Sequence, residues 1–360
     1  MSTTESVQST IDPDALNAFM GQFVLDFGAA CAGANIVVGD RLGLYKAVDA
    51  VGPASAAAVA AAAGCDERHV REWLSGQAAG GYVSYDPATD EFSLSAEQAA
   101  CLADESSPTY LPGAFQVAAS LYKDEDRLLE AIRTGAGMGW HEHHHDLFHG
   151  TERFFRPGYS ANLVEAWIPA LEGVEAKLLS GARVADVGCG HGASAIIMAQ
   201  AFPRAQITGF DYHEGSIEAA RAAADAAGVG DRVRFEVASA AAYPGEGYDL
   251  VCMFDCLHDM GDPVGASRHV LSTLDSDGSW LIVEPNAGDT LAENLNPVGR
   301  IFYSASTLIC TPASKAQEVG LALGAQAGEA RLGEVIREGG FTRFRRATET
   351  PFNIVLEARP

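Results

Sequence analysis

The sequence predicts an α/β protein: a mainly helical N-terminal domain followed by a doubly wound parallel sheet. Three observations carry this. The apolar run Val184-Ala185-Asp186-Val187 feeds Gly188-Cys189-Gly190-His191-Gly192, a strand entering a glycine-rich turn before a helix. Glycines lack Cβ atoms, so the backbone can turn sharply there and a ligand can lie against it. Asp211 ends the next apolar run, 21 residues after Gly190, about where an acid grips a ribose diol in a nucleotide-binding βαβ unit. Beyond residue 180, apolar strand runs alternate with helical stretches, the pattern of a sheet with helices on both faces. At 360 residues two domains are the default.

In chain order, residues 1–13 are polar and expected to be disordered. The apolar spacing over 15–51 is helical. The alanine-rich run 54–63 predicts a short helix, because alanine is the best helix former. Gly64 and Cys65 turn the chain. Asp66 is placed to cap a second helix, with Glu67 in its first turn, and Gly80-Gly81 stops it. Residues 82–85 and 92–94, around a turn at Asp86-Pro87, read as a hairpin. Helix, helix, hairpin is the order of a winged helix. Residues 96–180 look mostly helical. Strand runs then fall at 183–187, 206–210, 233–237, 248–253 and 279–284, with helices at 193–201, 214–227 and 263–274. A long segment, 285–327, interrupts the alternation. A helix near 329–338 and strands at 341–347 and 352–358 end the chain.

Composition narrows the function. A net charge of −24 and a pI of about 4.6 oppose phosphate backbones, whose binding rests on Lys and Arg, and disfavour anionic membranes. No basic segment precedes an apolar one at the N-terminus, so no signal peptide is expected. The most apolar early stretch, 19–38, holds Gln22, Asp26 and Asn35, so no membrane span is expected. Seven scattered cysteines without a C-x-x-C pattern fit a reducing cytosol and a cytoplasmic protein.

The glycine turn separates two kinds of ligand. A dinucleotide site needs G-x-G-x-x-G and a pyrophosphate on the helix N-terminus. Here the string is D-V-G-C-G-H-G. Acidic Asp186 would repel a pyrophosphate but hold a cationic amino-acid moiety. The string resembles motif I of the class I S-adenosylmethionine-dependent methyltransferases, and the resemblance covers roughly residues 180–360. It implies a Rossmann-like sheet of seven strands, mostly parallel, with the last hairpin reversed. It implies S-adenosylmethionine as cofactor, held by Asp186, Gly188, Cys189, Gly190, Gly192 and Asp211, with Tyr212 beside the adenine. Ala238-Ser239-Ala240 stands where the family often has Gly-Asp-Ala, so Ser239 and Ala240 are the expected adenine contacts. Phe254, Asp255 and Tyr159 complete the cofactor set.

Leu257-His258-Asp259, just past the fourth strand, looks like the L-H-D-W segment of small-molecule O-methyltransferases that carry a winged-helix dimerisation domain. In them the histidine is the general base, and a glutamate ending the next strand orients it. That implies His258 as base, Glu284 as its partner and Asp259 as a catalytic neighbour. The chemistry agrees: a sulfonium needs little electrophilic help, the attacking hydroxyl must lose its proton, and histidine titrates near neutrality. A pocket-lining histidine without that role is the bland reading.

Trp140-His141-Glu142-His143-His144-His145-Asp146, with His149, concentrates the histidines. Such clusters ligate zinc or nickel, but adjacent histidines point in different directions and no second ligand cluster matches them. No metal is therefore expected. Trp140, His143, His144, Phe154 and Phe155 are expected substrate walls, and Arg300 and Tyr303 part of a lid. Cys252 and Cys256 read as core. The expected organisation is a tail at 1–13, a winged-helix dimerisation domain at 14–105, a helical connector at 106–178 and a cofactor domain at 179–360. The expected function is methyl transfer to a hydroxyl of a small molecule by a homodimer, with no nucleic-acid or membrane partner. The competing expectation is a winged-helix regulator that binds S-adenosylmethionine or a metabolite without catalysis.

Overall fold

The computed structural model describes residues 11–360, so most of the expected disordered tail lies outside the described residues. Its last residues do not extend it. Asp12 caps the first helix, accepting from the Asp14 and Ala15 N–H groups at 2.9 and 3.5 Å. The chain divides into two compact units, up to Phe115 and from Gln116 onward.

The first unit holds α1 (Pro13–Arg41), α2 (Leu44–Val51), α3 (Ala56–Ala63), α4 (Glu67–Ala79), β1 (Ser84–Asp86), β2 (Glu91–Ser93) and α5 (Ala96–Leu102). The helix expected over 15–51 is broken at Leu42-Gly43, because Gly43 takes φ 68°, a left-handed conformation that ends an α-helix. Ser55 and Asp66 cap α3 and α4 by accepting from the Ala58 and His69 N–H groups. The strands β1 and β2 pair antiparallel, Ser84 opposite Ser93. Tyr45, Val48, Trp73, Leu74 and Phe92 form the core of this winged helix.

Only the C-terminal third of α1 packs on that core. A Cβ at Gly39 would lie 2.2 Å from the Trp73 ring, and Trp73 Nε1 donates to Asn35 O at 2.8 Å. Before residue 32 almost every side chain of α1 is exposed, including Phe19, Met20, Phe23, Leu25 and Phe27. By length and composition α1 is apolar enough to cross a membrane, despite its polar residues.

The helix α6 (Pro112–Leu121) leads into the second unit, which holds α7 (Glu125–Thr134), α8 (Asp146–Asn162), α9 (Val174–Ser180), β3 (Arg183–Val187), α10 (Ala193–Ala201), β4 (Gln206–Asp211), α11 (Glu214–Ala226), β5 (Val233–Val237), β6 (Tyr248–Phe254), α12 (Pro263–Thr273), β7 (Leu274–Pro285), α13 (Pro297–Leu308), α14 (Cys310–Lys315), α15 (Gly328–Glu338), β8 (Arg343–Glu349) and β9 (Asn353–Arg359). Of the stretch 106–178, expected as a connector, residues up to 115 belong to the first unit and 116–178 are compact with the sheet. The seven strands run in the order β5-β4-β3-β6-β7-β9-β8. The first five are parallel, and β9 is antiparallel to both of its neighbours. This is the expected sheet with its reversed hairpin. The strand β7 starts at Leu274 instead of 279, past a register shift at Tyr248/Leu250.

Both faces of the sheet are buried, as parallel sheets require. Val184, Leu250, Leu281 and Val283 enter one cluster, and Ala185, Val251, Met253 and Ile282 the other. Alternate residues thus face opposite helix layers. The start of α10 depends on Gly192, at φ 81°. A Cβ there would lie 2.7 Å from Phe235 and 3.0 Å from Ala220. Gly192→Val combines left-handed strain with overpacking and is expected to destabilise the unit by roughly 2–5 kcal/mol. Thermal unfolding followed by circular dichroism checks this.

Candidate active site

The strand order reverses between β3 and β6, and open α/β sheets hold ligands at the carboxyl ends of strands beside such a switch. A cavity of about 430 Å³ lies there. One wall is the glycine turn, with Gly188, Cys189 and Gly190, followed by Asp211, Tyr212, Ser239 and Ala240. The Gly190 N–H donates to Asp211 Oδ2 at 3.0 Å, and the His213 N–H to Oδ1 at 2.9 Å. Asp211 therefore fixes the turn as well as facing the cavity. Burial pushes its carboxyl above the usual range.

Asp186 is not on the wall. It is wholly buried beneath the turn, where Ser194 Oγ donates to Oδ2 at 2.5 Å and Oδ1 has no hydrogen-bond partner. Burial pushes its carboxyl up to about 7. Gly192 also lies off the wall, shaping the turn from behind.

Phe254, Asp255 and Asp259 form the opposite side. Asp255 holds φ 50°, an uncommon strain for a residue with a side chain. Tyr159 Oη and Asn353 Nδ2 donate to its two oxygens at 2.9 and 2.8 Å. Burial, then the charge of Glu284, pushes it up to about 8, so it is protonated at neutral pH.

His258 sits in the helical turn Leu257–Asp259 after β6, buried and off the wall. Its Nδ1 lies 2.5 Å from Glu284 Oε2, while the Leu257 N–H donates to Glu284 Oε1 at 2.9 Å. Its Nε2 lies 3.1 Å from Asp259 Oδ1. Burial alone would lower its pKa, but Glu284 and then Asp259 outweigh it and hold the pKa well above the ordinary value. The member of this group that meets the cavity is Asp259.

The remaining wall is one face of α8: Phe148, Thr151, Glu152, Phe155 and Tyr159, with Trp140 before it. Of the expected substrate residues only Trp140 and Phe155 line the cavity. His143 is buried, with Nδ1 2.9 Å from Asp124 Oδ2. The His144 N–H also donates to Asp124, and its ring accepts from the Asp146 N–H. Both therefore act as local structure. Phe154 packs edge-on against Phe155. Arg300 and Tyr303, on α13, are off the wall; the segment expected as a lid contributes Ala313 and Gln317 instead.

Sequence reasoning missed several lining residues. Phe148, Thr151 and Glu152 share one helical face with the expected Phe155 and Tyr159, a periodicity that marks all five. His191 lay inside the glycine motif; burial, then His149 and His213, lowers it to about 4, so it stays neutral. Cys252 is core as expected, but Cys256 lines the cavity. Burial, then Glu284, pushes its thiol well up, which keeps it protonated.

A glycine turn braced by an acid, at the switch point of this sheet, is the arrangement expected of a class I methyltransferase-type cofactor site. Comparison with known proteins agrees. Residues 178–340 match the model of a methyltransferase domain, and residues 30–104 that of an Rv2258c-like winged HTH domain. Among curated proteins, 27-O-demethylrifamycin SV methyltransferase of Amycolatopsis mediterranei is 36% identical over 131 residues, 34% of this chain and 48% of that protein. O-demethylpuromycin-O-methyltransferase of Streptomyces alboniger is 33% identical over 118 residues, 32% of this chain and 31% of that protein. The chain spans about half or less of the length of the curated relatives it matches. Among solved structures, human N-acetylserotonin methyltransferase in complex with SAM superposes with TM-score 0.66 at 18% identity, covering 98% of this chain and 99% of that one. The mitomycin 7-O-methyltransferase MmcR gives TM-score 0.66 at 22% identity, over 96% and 100%. In fold and domain composition the chain thus combines a methyltransferase domain with a preceding Rv2258c-like winged HTH domain.

Proposed function

We propose that the protein transfers a methyl group from S-adenosylmethionine to a hydroxyl oxygen of a small molecule. The observation that carries this is a single cavity bounded on one side by the Asp211-braced glycine turn and on the other by Asp259 and, behind it, the His258–Glu284 pair. Gly188, Gly190, Asp211, Tyr212 and Ser239 hold the cofactor, and the buried acid Asp186 supports them from below. The sulfonium supplies an activated methyl group. The chain's own part is positioning, which is worth much of the barrier, and removal of the acceptor's proton. That proton leaves the hydroxyl for the Asp259 carboxylate and, once that group rotates into the hydrogen bond it does not make at rest, passes to Nε2 of a neutral His258. Glu284 keeps the Nδ1–H and stabilises the imidazolium formed. Asp255, neutral and clamped by Tyr159 and Asn353, shapes the wall without adding a charge beside the sulfonium.

A screen of phenols, carboxylic acids and amines with methyl-labelled S-adenosylmethionine tests this. Labelled ethers are the expected products. Label on nitrogen alone overturns the oxygen assignment. Binding without transfer to any acceptor favours the regulator. The first unit argues against a nucleic-acid partner: residues 11–115 carry four Lys and Arg against fourteen Asp and Glu. On α4, Arg68 and Arg71 are paired to Glu72 and Asp90 at 2.5 and 2.8 Å. Phosphate contacts need free cations.

The uncovered apolar side chains of α1 support a homodimer that buries them, and the acidic charge fits a cytoplasmic rather than a membrane-bound protein. Light scattering at micromolar concentration is expected to give about 76 kDa, twice the chain's 37.8 kDa. A monomer mass, or sedimentation with lipid vesicles, overturns this.

A further inference from the structure

The proposed base and its neighbour Asp259 share a donor set with a third residue, Cys310, that methyl transfer does not use. His258 Nε2, an Asp259 carboxylate oxygen and Cys310 Sγ lie within 4.8 Å of one another. His258 and Asp259 come from the turn after β6, and Cys310 opens α14. His258 and Cys310 are buried, and Asp259 lines the cavity. The closest pair, Nε2 and Asp259 Oδ1, stand 3.1 Å apart, yet Oδ1 is buried and makes no hydrogen bond: the approach is close, but the direction is wrong for one. On its other nitrogen His258 is held by Glu284 at 2.5 Å. A ring N–H given to a carboxylate leaves the lone pair on the far nitrogen, the outer-shell arrangement that orients metal-bound histidines. Ligand atoms around a tetrahedral zinc stand roughly 3.3–3.6 Å apart. Two of the three atoms are already near that separation, and the sulfur needs to close by at most about 1.5 Å to reach it.

We propose that His258, Asp259 and Cys310 form a site for one thiophilic divalent cation, best matched by Zn²⁺, and that the bound ion blocks methyl transfer by taking the lone pair of His258 Nε2. The set of one imidazole, one carboxylate and one thiolate suits zinc and leaves a fourth position. Asp259 and Ala313 both line the cavity, so the set lies against it. The cavity is also the ion's way in. Binding releases the thiol proton, and any proton on Nε2, to solvent, and the ion takes their places. The other cluster of donors, His144, His145 and Asp146, is a poorer site. Lys123 and Gln116 occupy the Asp146 carboxylate, and His144 Nδ1 accepts from the Asp146 N–H.

The blocking role rests on His258 being the base; the binding site does not. The full-length protein, stripped with a chelator, is titrated with Zn²⁺ by calorimetry and with Co²⁺ by absorption. The expected results are one ion per chain and a near-ultraviolet thiolate-to-cobalt band. Cys310→Ala loses the band and weakens Zn²⁺ binding by more than roughly tenfold. His144→Ala/His145→Ala keeps both. No stoichiometric binding, or bound Co²⁺ without the thiolate band in the wild type, overturns the site, and this arm needs no variant to fold. In the methyl-transfer assay Zn²⁺ inhibits the wild type reversibly, whereas Cys310→Ala keeps its basal rate and escapes inhibition. An ion that binds with the thiolate band but leaves transfer unchanged overturns the blocking role. If no acceptor is methylated at all, the proposed reaction fails while the binding measurements still decide the site.

Discussion

His258→Ala is expected to lower turnover by roughly 10²–10⁴-fold, the range of a positioned general base, while leaving the affinity for S-adenosylhomocysteine nearly unchanged. In the proposed reaction the cofactor contacts come from the ends of β3 and β4 and the loop after β5, and His258 is off the cavity wall. The pH profile gives the stronger check. Burial lowers the imidazole pKa, but Glu284 and Asp259 hold it well above the ordinary value. A base must start unprotonated. The wild-type rate should therefore rise with pH along a limb displaced to the alkaline side of a free histidine, about 6.5, and the variant should lose that limb. Glu284→Gln removes the largest raising charge, so the limb should move toward lower pH with a smaller loss of rate. A wild-type limb that persists in His258→Ala, or near-normal turnover of that variant on the true acceptor, excludes the base.

The second large effect concerns Asp211. Its two oxygens already accept from the Gly190 and His213 N–H groups at 3.0 and 2.9 Å. The side chain thus organises the turn and, in the proposed reaction, offers its remaining lone pairs to the ribose. Hydrogen bonds to a charged group are worth roughly 1.5–3 kcal/mol each. Asp211→Ala should weaken S-adenosylhomocysteine roughly 10–100-fold for each bond lost, measured by calorimetry. Asp211→Asn keeps an acceptor for one N–H and should lie between the two. Unchanged affinity in the alanine variant removes Asp211 from the site.

The two residues differ in how they could be found. Asp211 was legible because its role is local: a strand ends, a turn begins, and the backbone amides it braces lie at a fixed distance along one βαβ unit. The parallel strands were legible for a similar reason, since burial on both faces demands continuous apolar runs such as 248–253. The same run-based logic misplaced the start of β7, whose first residue pairs with Tyr248 only through a register shift. His258 and Glu284 were visible as a motif and a strand end. Their 2.5 Å contact follows from β6 and β7 being neighbours, which the alternation of elements already implied.

What the sequence determined by itself is therefore the sheet, the glycine turn and the acid that braces it, because periodicity, turn chemistry and capping act over a few residues. The tertiary structure alone decided that Asp259, rather than His258, meets the cavity. It decided that Asp186 lies beneath the turn, that His143 and His144 pair with Asp124 and Asp146, and that Ala313 and Gln317 reach the cavity from a distant segment. Each of these depends on which side chains meet after the chain has folded back over tens of residues. No local spacing records that, because such contacts are selected by packing and charge in three dimensions.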